Sequence, residues 1–222
     1  MVPVVTIDGP SGSGKGTIAA RVAEKLDWRI LDSGALYRLV GHAVSQASVP
    51  LQDIGRISDI AGKMDVEFRA GQVLLAGEDV SLAIRSETAG NMASKVAAIP
   101  QVRAALLDWQ KAYASPPGLV ADGRDMGTVV FPDAQVKIFL TASAEERAMR
   151  RYKQLIEKEI DANLASLTVE IEERDARDRN RSVAPLKPAT GAIEIDSTVL
   201  GIDEVVARVM AAAKQVWPDL AV

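Results

Sequence analysis

Residues 9–17 read GPSGSGKGT and match the phosphate-loop pattern G-x-x-x-x-G-K. Before them, residues 2–7 are apolar and β-branched, which predicts a buried parallel strand. After them, apolar side chains recur at helical spacing through residues 17–26. A phosphate loop requires this order of strand, loop and helix, so the stretch predicts binding of the phosphates of a nucleoside triphosphate.

The residue types of this loop suit an anion. Glycines let the backbone curl so that several N–H groups point at one phosphate, and the helix N-terminus adds partial positive charge. Lys15 supplies a full charge, whereas an ordinary glycine-rich turn would give no reason for a lysine there. The hydroxyl comes at Thr17, one place later than in the simple pattern, because Gly16 intervenes. The predicted ATP-binding residues are Gly9, Pro10, Ser11, Gly12, Ser13, Gly14, Lys15, Gly16 and Thr17.

Strands and helices alternate along the chain, which predicts an α/β fold with a parallel sheet flanked by helices. Predicted strands lie at residues 29–32, 66–75, 78–82, 119–121, 136–140 and 193–195, with turns at Gly71 and Gly77. Predicted helices lie at residues 34–47, 53–63, 89–96, 102–113 and 203–216. Ser143 and Glu146 form a predicted capping box that opens another helix. Residues 53–90 break the alternation and indicate an inserted lobe.

The amino-acid composition excludes several kinds of functional site. The 222 residues suit one large domain, and the net charge of −4 offers no electrostatic footprint for nucleic acid. With no cysteine and one histidine, the chain has no thiolate nucleophile, Cys-type zinc site or His cluster. His42 lies among apolar helical residues and is interpreted as a packed or surface histidine. Without a signal peptide or long apolar run, we expect a cytoplasmic protein with no membrane partner. The net charge leads us to expect no nucleic-acid partner, and we expect a monomer.

Several further motifs accompany the loop, whose G-K-G-T ending is the form found in nucleoside monophosphate kinases. They are LDSGALYR at 31–38, DGRDMGTVVFP at 122–132, ERDARDRNR at 173–181 and DST at 196–198. With them, the chain resembles the bacterial cytidylate kinases over nearly its whole length. The resemblance implies a single P-loop kinase domain over residues 1–222. It also implies an inserted acceptor-binding lobe at about 34–101 and a helical lid at about 147–181.

The resemblance implies transfer of the γ-phosphoryl group of ATP to CMP, and also to dCMP, giving ADP and CDP or dCDP. The acceptor phosphate is already nucleophilic, so direct in-line attack needs no general base. We expect Mg²⁺ to bridge the β- and γ-phosphates, with Thr17 and Asp122 as its candidate contacts, direct or through water. Asp32 is the second choice of carboxylate. The alternative for both aspartates is capping of a helix or turn.

A kinase gathers two anions, so it requires more cations than one lysine. Arginine suits this task because its fork meets two phosphate oxygens and keeps its charge. The predicted catalytic residues are Lys15, Arg124, Arg150, Arg151 and Arg181. In residues 172–181, Arg174, Asp178 and Arg181 share one helical face. The alternative for this stretch is a solvated helix of i,i+4 pairs such as Asp175–Arg179, and Arg147 is equally compatible with a solvated helix.

Cytosine can be recognised by a carboxylate that accepts from its 4-amino group and a guanidinium that donates to its N3 and O2. The resemblance assigns the base to Ser94, Arg103 and Asp125, the phosphate to Arg38, Arg124 and Arg181, the ribose to Arg174 and Asp178, and the pocket shape to Ser33 and Tyr37. Taken alone, Ser94 and Arg103 would be interpreted as plain helix surface. Asp125 is better placed, since loops after strands bind ligands in α/β proteins.

The residues by themselves leave three other functions to be considered. A GTPase would carry an Asn/Thr-Lys-x-Asp motif, which the sequence lacks. A regulatory module would bind ATP without releasing ADP in response to CMP. A related kinase would act on UMP or on another monophosphate.

Overall fold

The computed structural model describes residues 2–69, 72–157 and 159–220. The chain divides into two compact units, a large one of Met1–Asp32 with Tyr113–Val222 and a small one of Ser33–Ala112. The strands are β1 (Val4–Asp8), β2 (Arg29–Asp32), β3 (Val66–Arg69), β4 (Gln72–Leu75), β5 (Glu78–Asp79), β6 (Leu119–Gly123), β7 (Val136–Thr141) and β8 (Ile193–Asp196). The helices are α1 (Lys15–Leu26), α2 (Ser33–Gln46), α3 (Ile54–Lys63), α4 (Glu87–Val96), α5 (Pro100–Ala112), α6 (Ala144–Ile156), α7 (Leu164–Arg179) and α8 (Ile202–Val216). In these described stretches no helix combines the length and apolar character needed to span a membrane.

A parallel sheet in the order β2-β6-β1-β7-β8 forms the centre of the large unit. Every residue of β1 and β6 is buried, which explains why β1 is an almost continuous apolar run in the sequence. Side chains of α1 and α8 join the strands in one apolar core, in which Val22 and Val209 are fully buried. The predicted α/β fold with a helix-flanked parallel sheet is therefore confirmed.

This topology places polar residues together at one edge of the sheet. Asp8 ends β1 and Asp32 ends β2, and both have parallel register partners on β6, which are Gly123 and Asp122. The carboxyl ends of parallel strands share an edge, and ligands of open α/β sheets bind there. The phosphate loop leaves β1 at the same edge.

The helix starts follow their capping residues, with one difference from the sequence prediction. The Ser143 hydroxyl accepts from the N–H of Glu146 at 3.1 Å, as a cap should. The reciprocal half of the predicted capping box is not made, because the Ser143 N–H donates to Thr198 at 3.0 Å and the Glu146 carboxylate accepts from Arg150 at 2.8 Å. Two long-range contacts thus replace a local one.

The small unit pairs α2 with α4 and α3 with α5 around a second apolar core. Its antiparallel sheet, β3-β4-β5, packs against Leu39 and Ile84. The turn at Gly77 is observed, whereas the turn predicted at Gly71 lies outside the described residues. The strand predicted over 78–82 is shorter, since only Glu78–Asp79 pairs with β4.

Candidate active site

The loop of residues 9–17 is folded tightly against the sheet. A β-carbon on Gly9 would lie 2.0 Å from the carbonyl oxygen of Leu140, so only glycine fits there. Gly14 has φ 88° and immediately precedes α1, a left-handed conformation that glycine adopts without strain. The hydroxyl of Ser13 is buried and has no hydrogen-bond partner among the described residues. The loop therefore presents the start of α1 together with an unsatisfied polar group, which suits an anion.

Lys15 lies inside this loop. Only 8% of it is exposed, and its Nζ donates to the carbonyl oxygen of Pro10 at 3.0 Å. Burial lowers the pKa of Lys15 from its usual 10.5 to about 8, and the charge of Arg124 is the second-largest cause. The loop thus contains a cation that is poorly compensated and would gain from a bound phosphate.

Asp122 approaches the loop from β6. Its Oδ2 would lie 3.3 Å from a β-carbon on Gly16, so a larger residue there would require Asp122 to shift by a small amount. Burial, with a contribution from Asp32, raises the pKa of Asp122 to about 7, although Lys15 opposes the rise. A buried carboxylate next to the loop is a group that a divalent cation would satisfy.

A cavity of about 580 Å³ adjoins the loop. It is lined by residues 12–18, by α6 and by residues 200–202, and it combines the apolar Leu200 and Ile202 with the basic Arg150 and Lys153. Its volume falls within the range of ligand pockets. Apolar walls beside cationic groups suit a flat ring system that carries phosphates.

The two lid arginines predicted to be catalytic have different surroundings. Arg150 lines the cavity and donates to the carbonyl of Ser197 at 2.6 Å and to that of Ser13 at 3.5 Å. Arg151 instead donates to Gln154 at 3.3 Å on its own helix. Arg150 therefore lies at the rim of the phosphate loop, whereas Arg151 is not among the residues that line the cavity.

A buried carboxylate in the same unit pairs with two of the predicted arginines. Asp178 is 0% exposed and accepts from Nε of Arg124 and Nη2 of Arg181. Burial by itself would raise the pKa of Asp178, but Arg124, Arg181 and Arg174 hold it below its usual range. Arg181 lies two residues beyond the end of α7, so it reaches Asp178 from outside the helix and not from the continuous helical face that the spacing predicts. The solvated-helix alternative is wrong for Asp178.

Asp125 lies in a segment that the sequence predicts to be a loop. Met126–Val130 forms one π-helical turn, and Asp125, 2% exposed, immediately precedes it. The turn is anchored by Asp8, whose carboxylate accepts from the N–H groups of Met126 and Gly127, each at 2.8 Å. A β-carbon on Gly127 would lie 2.9 Å from the hydroxyl of Thr6, so the backbone there approaches β1 closely.

Sequence reasoning missed the role of Asp8. The sequence does contain a signal for this role, which is an acidic residue at the end of an apolar strand, directly before the loop. Such a residue requires a partner, but its partners lie 118 and 119 positions away in the chain.

The small unit contains the other predicted acceptor residues. Arg38 donates to the carbonyls of Ile84 at 2.7 Å and Ser86 at 3.0 Å. Arg103 is 7% exposed, donates to the carbonyl of Ala97 at 3.2 Å and lies 5.4 Å from the ring centroid of Tyr37. Two serines are also buried, Ser33 and Ser94. The helix-surface alternative for Ser94 and Arg103 is therefore wrong.

Comparison with known proteins assigns this arrangement to a family. Residues 5–215 match the family model described as cytidylate kinase. The chain belongs to the cytidylate kinase family. It is 60% identical over 215 residues to the cytidylate kinase of Stutzerimonas stutzeri (strain A1501), with 94% of each chain covered. It is 58% identical to that of Aeromonas salmonicida (strain A449), covering 99% of this chain and 97% of that one.

Membership of the cytidylate kinase family makes this chain a nucleoside monophosphate kinase, which confirms the resemblance seen in the sequence. Among solved structures, that of an uncharacterized protein from Eubacterium ventriosum ATCC 27560 is similar with a TM-score of 0.54. It shares 9% sequence identity, and the match covers 97% of this chain and 99% of that chain. At this identity the likeness supports the fold alone.

The burial of Asp8 gives this cytidylate kinase family member an expected pH dependence of stability. Burial raises the pKa of Asp8 from 3.8 to about 7, against the opposing effect of its two N–H donors. Between those values the folded protein holds a proton that the unfolded chain releases. The resulting stabilisation is complete below about pH 4 and is lost as the pH rises through about 7.

We expect the free energy of unfolding to fall between about pH 5 and about pH 7 more steeply in the wild type than in Asp8→Asn, by up to about 1.4 kcal/mol per pH unit. Urea unfolding at several pH values measures both slopes. Parallel profiles for the two proteins would contradict the raised pKa.

Proposed function

We propose that this chain transfers the γ-phosphoryl group of ATP to CMP, and also to dCMP, by direct in-line attack. The observation that carries the proposal is the pairing of Arg124 and Arg181 on the buried Asp178, in the same unit as the phosphate loop. A nucleotide hydrolase would need one anion site. A second set of guanidinium groups, held in place by a buried carboxylate, is what a second phosphate requires.

For the donor, we assign the phosphates to residues 9–17. The support is the unsatisfied hydroxyl of Ser13 and the poorly compensated charge of Lys15. Lys15 would exchange its bond to Pro10 for the outer phosphates. Arg150 would contact the transferring group from the rim, and Arg151 would join it if the lid segment 147–181 closes. The cavity beside the loop would hold the nucleoside of ATP.

Asp122 and Thr17 are the residues that would hold Mg²⁺. Asp122 fits because it is a buried carboxylate with a raised pKa, and Thr17 fits because its hydroxyl follows Gly16 at the rim of the same cavity. Mg²⁺ commonly uses one or two carboxylates together with phosphate oxygens and water. When bound, it would neutralise charge on the β- and γ-phosphates.

The large unit contains one group of the predicted acceptor contacts. In the large unit, Arg124 and Arg181 would bind the CMP phosphate, Arg174 and Asp178 would lie near the ribose, and Asp125 would accept from the 4-amino group of cytosine. The support is that Asp178 fixes two guanidinium groups while keeping its own charge.

In the small unit, Arg38 would bind the phosphate, Ser94 and Arg103 would contact the base, and Ser33 and Tyr37 would shape the pocket. The support is the burial of Arg103 against Tyr37, because a buried guanidinium that packs on a ring is held in a fixed orientation. An alanine variant of each of these residues tests its predicted contact.

A coupled assay of ADP release tests the function. CMP, dCMP, UMP and AMP would be compared as acceptors, with a reaction lacking acceptor as the control. We expect CMP and dCMP to release ADP far faster than UMP or AMP, since UMP places O4 against the carboxylate of Asp125. Replacing Asp125 by alanine should raise KM for CMP by about 10-fold or more while changing ATP affinity little.

The alternatives give different outcomes in the same assay. A regulatory module would bind ATP yet release no ADP when CMP is added. Faster release with UMP than with CMP would overturn the role of Asp125 in reading the base.

A further inference from the structure

Arg147 connects three segments that are distant in sequence. It belongs to α6 and is 3% exposed. Its Nε donates to the carbonyl of Ala142, after β7, at 3.0 Å, and its Nη1 donates to the carbonyl of Ser11 in the phosphate loop at 2.8 Å. The same guanidinium donates to both oxygens of Asp175 on α7, at 3.2 and 2.6 Å. One side chain thus joins the sheet, the loop and α7.

The loop is also packed directly on this side chain. A β-carbon added to Gly12 would lie 3.2 Å from the β-carbon of Arg147. The loop carbonyl at Ser11 and the backbone at Gly12 therefore both take their position from Arg147. A shift of this arginine would move the part of the loop that precedes Lys15.

Asp175 lies at the other end of the connection. It follows Arg174 directly and precedes Asp178 by three residues, so it lies within one turn of the residue that pairs with Arg124 and Arg181. Its side chain is 5% exposed, and it has a second, outer partner in Arg179, at 3.8 Å. Arg179 is 62% exposed and lies farther from the carboxylate than Arg147, so solvent weakens its interaction with Asp175. Asp175 is therefore held chiefly by Arg147.

We propose that Arg147 and Asp175 form a positioning pair, which makes the shape of the phosphate loop depend on α7. Neither residue lines the cavity beside the loop. The pair acts on bound nucleotide through Ser11 and Gly12 on one side and through the Arg174–Asp178 segment on the other. For the identity of the ligands this inference rests on the proposed function. A change on α7 thereby alters triphosphate binding at a loop that Asp175 does not touch.

Calorimetric titration with a non-hydrolysable ATP analogue and Mg²⁺ tests the pair without requiring CMP turnover. In Asp175→Asn, we expect the Kd of the analogue to rise about 10-fold. Arg179→Gln is the matched control, because it removes the outer partner of Asp175 and leaves Arg147 in place. Its Kd should stay within about twofold of the wild type.

Arg147→Lys supplies an independent variant that keeps the charge and loses the fork. We expect a similar rise in Kd. The double variant Arg147→Lys/Asp175→Asn should bind the analogue no more weakly than the single variant with the higher Kd, because both changes break one connection. A lowered Tm with unchanged Kd in both single variants would overturn the proposal. If the wild type binds the analogue but does not phosphorylate CMP, the proposed function fails, and this comparison of Kd values still decides the role of the pair.

Discussion

Replacing Lys15 by alanine is expected to lower kcat for phosphoryl transfer to CMP by about 10³-fold. Lys15 is the buried cation of the phosphate loop, and its Nζ donates to the carbonyl of Pro10. Burial and Arg124 lower its pKa to about 8, so phosphate would restore a charge that the folded protein disfavours. Without this cation, charge that develops on the transferring group would be neutralised less well.

Steady-state kinetics with saturating ATP and CMP measures this effect. Lys25→Ala is the matched control, because Lys25 lies exposed in the last turn of the same helix. It should keep the kcat of the wild type. A rise in KM for ATP with unchanged kcat in Lys15→Ala would show that Lys15 only holds the donor in the ground state.

Replacing Asp178 by alanine should have the second-largest effect. The carboxylate is fully buried and pairs with both Arg124 and Arg181, so its removal takes the shared counter-charge from two guanidinium groups that are 13% and 4% exposed. Breaking one buried pair typically costs about 3–5 kcal/mol. We expect a lower Tm together with a fall of about 10²-fold or more in kcat/KM for CMP, because both guanidinium groups lose their orientation.

Asp178→Asn separates charge from shape in this prediction, since it keeps the volume and removes the charge. It should also raise KM for CMP, while the Kd of a non-hydrolysable ATP analogue changes much less. If both variants lose stability but keep the KM for CMP of the wild type, Asp178 is a structural residue and the acceptor assignment is wrong.

Much of the fold follows from local pattern. Residues 2–7 and 119–121 predict buried strands, and the observed β1 and β6 extend over Val4–Asp8 and Leu119–Gly123. Periodic apolar residues likewise predict α1 and α8 to within about two residues. The π-helical turn of Met126–Val130 was not predicted, because its geometry depends on two hydrogen bonds to Asp8 from the other end of the sequence.

The candidate site divides in the same way. The phosphate loop is a contiguous motif, so the sequence predicts it from its own glycines and from the strand and helix on either side. By contrast, the sequence left residues 172–181 open between a solvated helix and a ligand site. Asp175 does approach Arg179 as the i,i+4 spacing suggests, but its closer partner is Arg147, 28 residues away.

The sequence by itself determined the parallel α/β fold, the phosphate loop and the family, because each depends on neighbouring residues or on contiguous motifs. Only the tertiary structure decided which charges are buried and which partners they have. It gave Asp178 two arginines, tied Arg147 to the loop at Ser11, 136 residues away, and placed Asp8 beneath the Asp125 segment. The physical reason is that the cost of burying a charge depends on the groups that the folded chain brings around it, and those groups are distant in sequence.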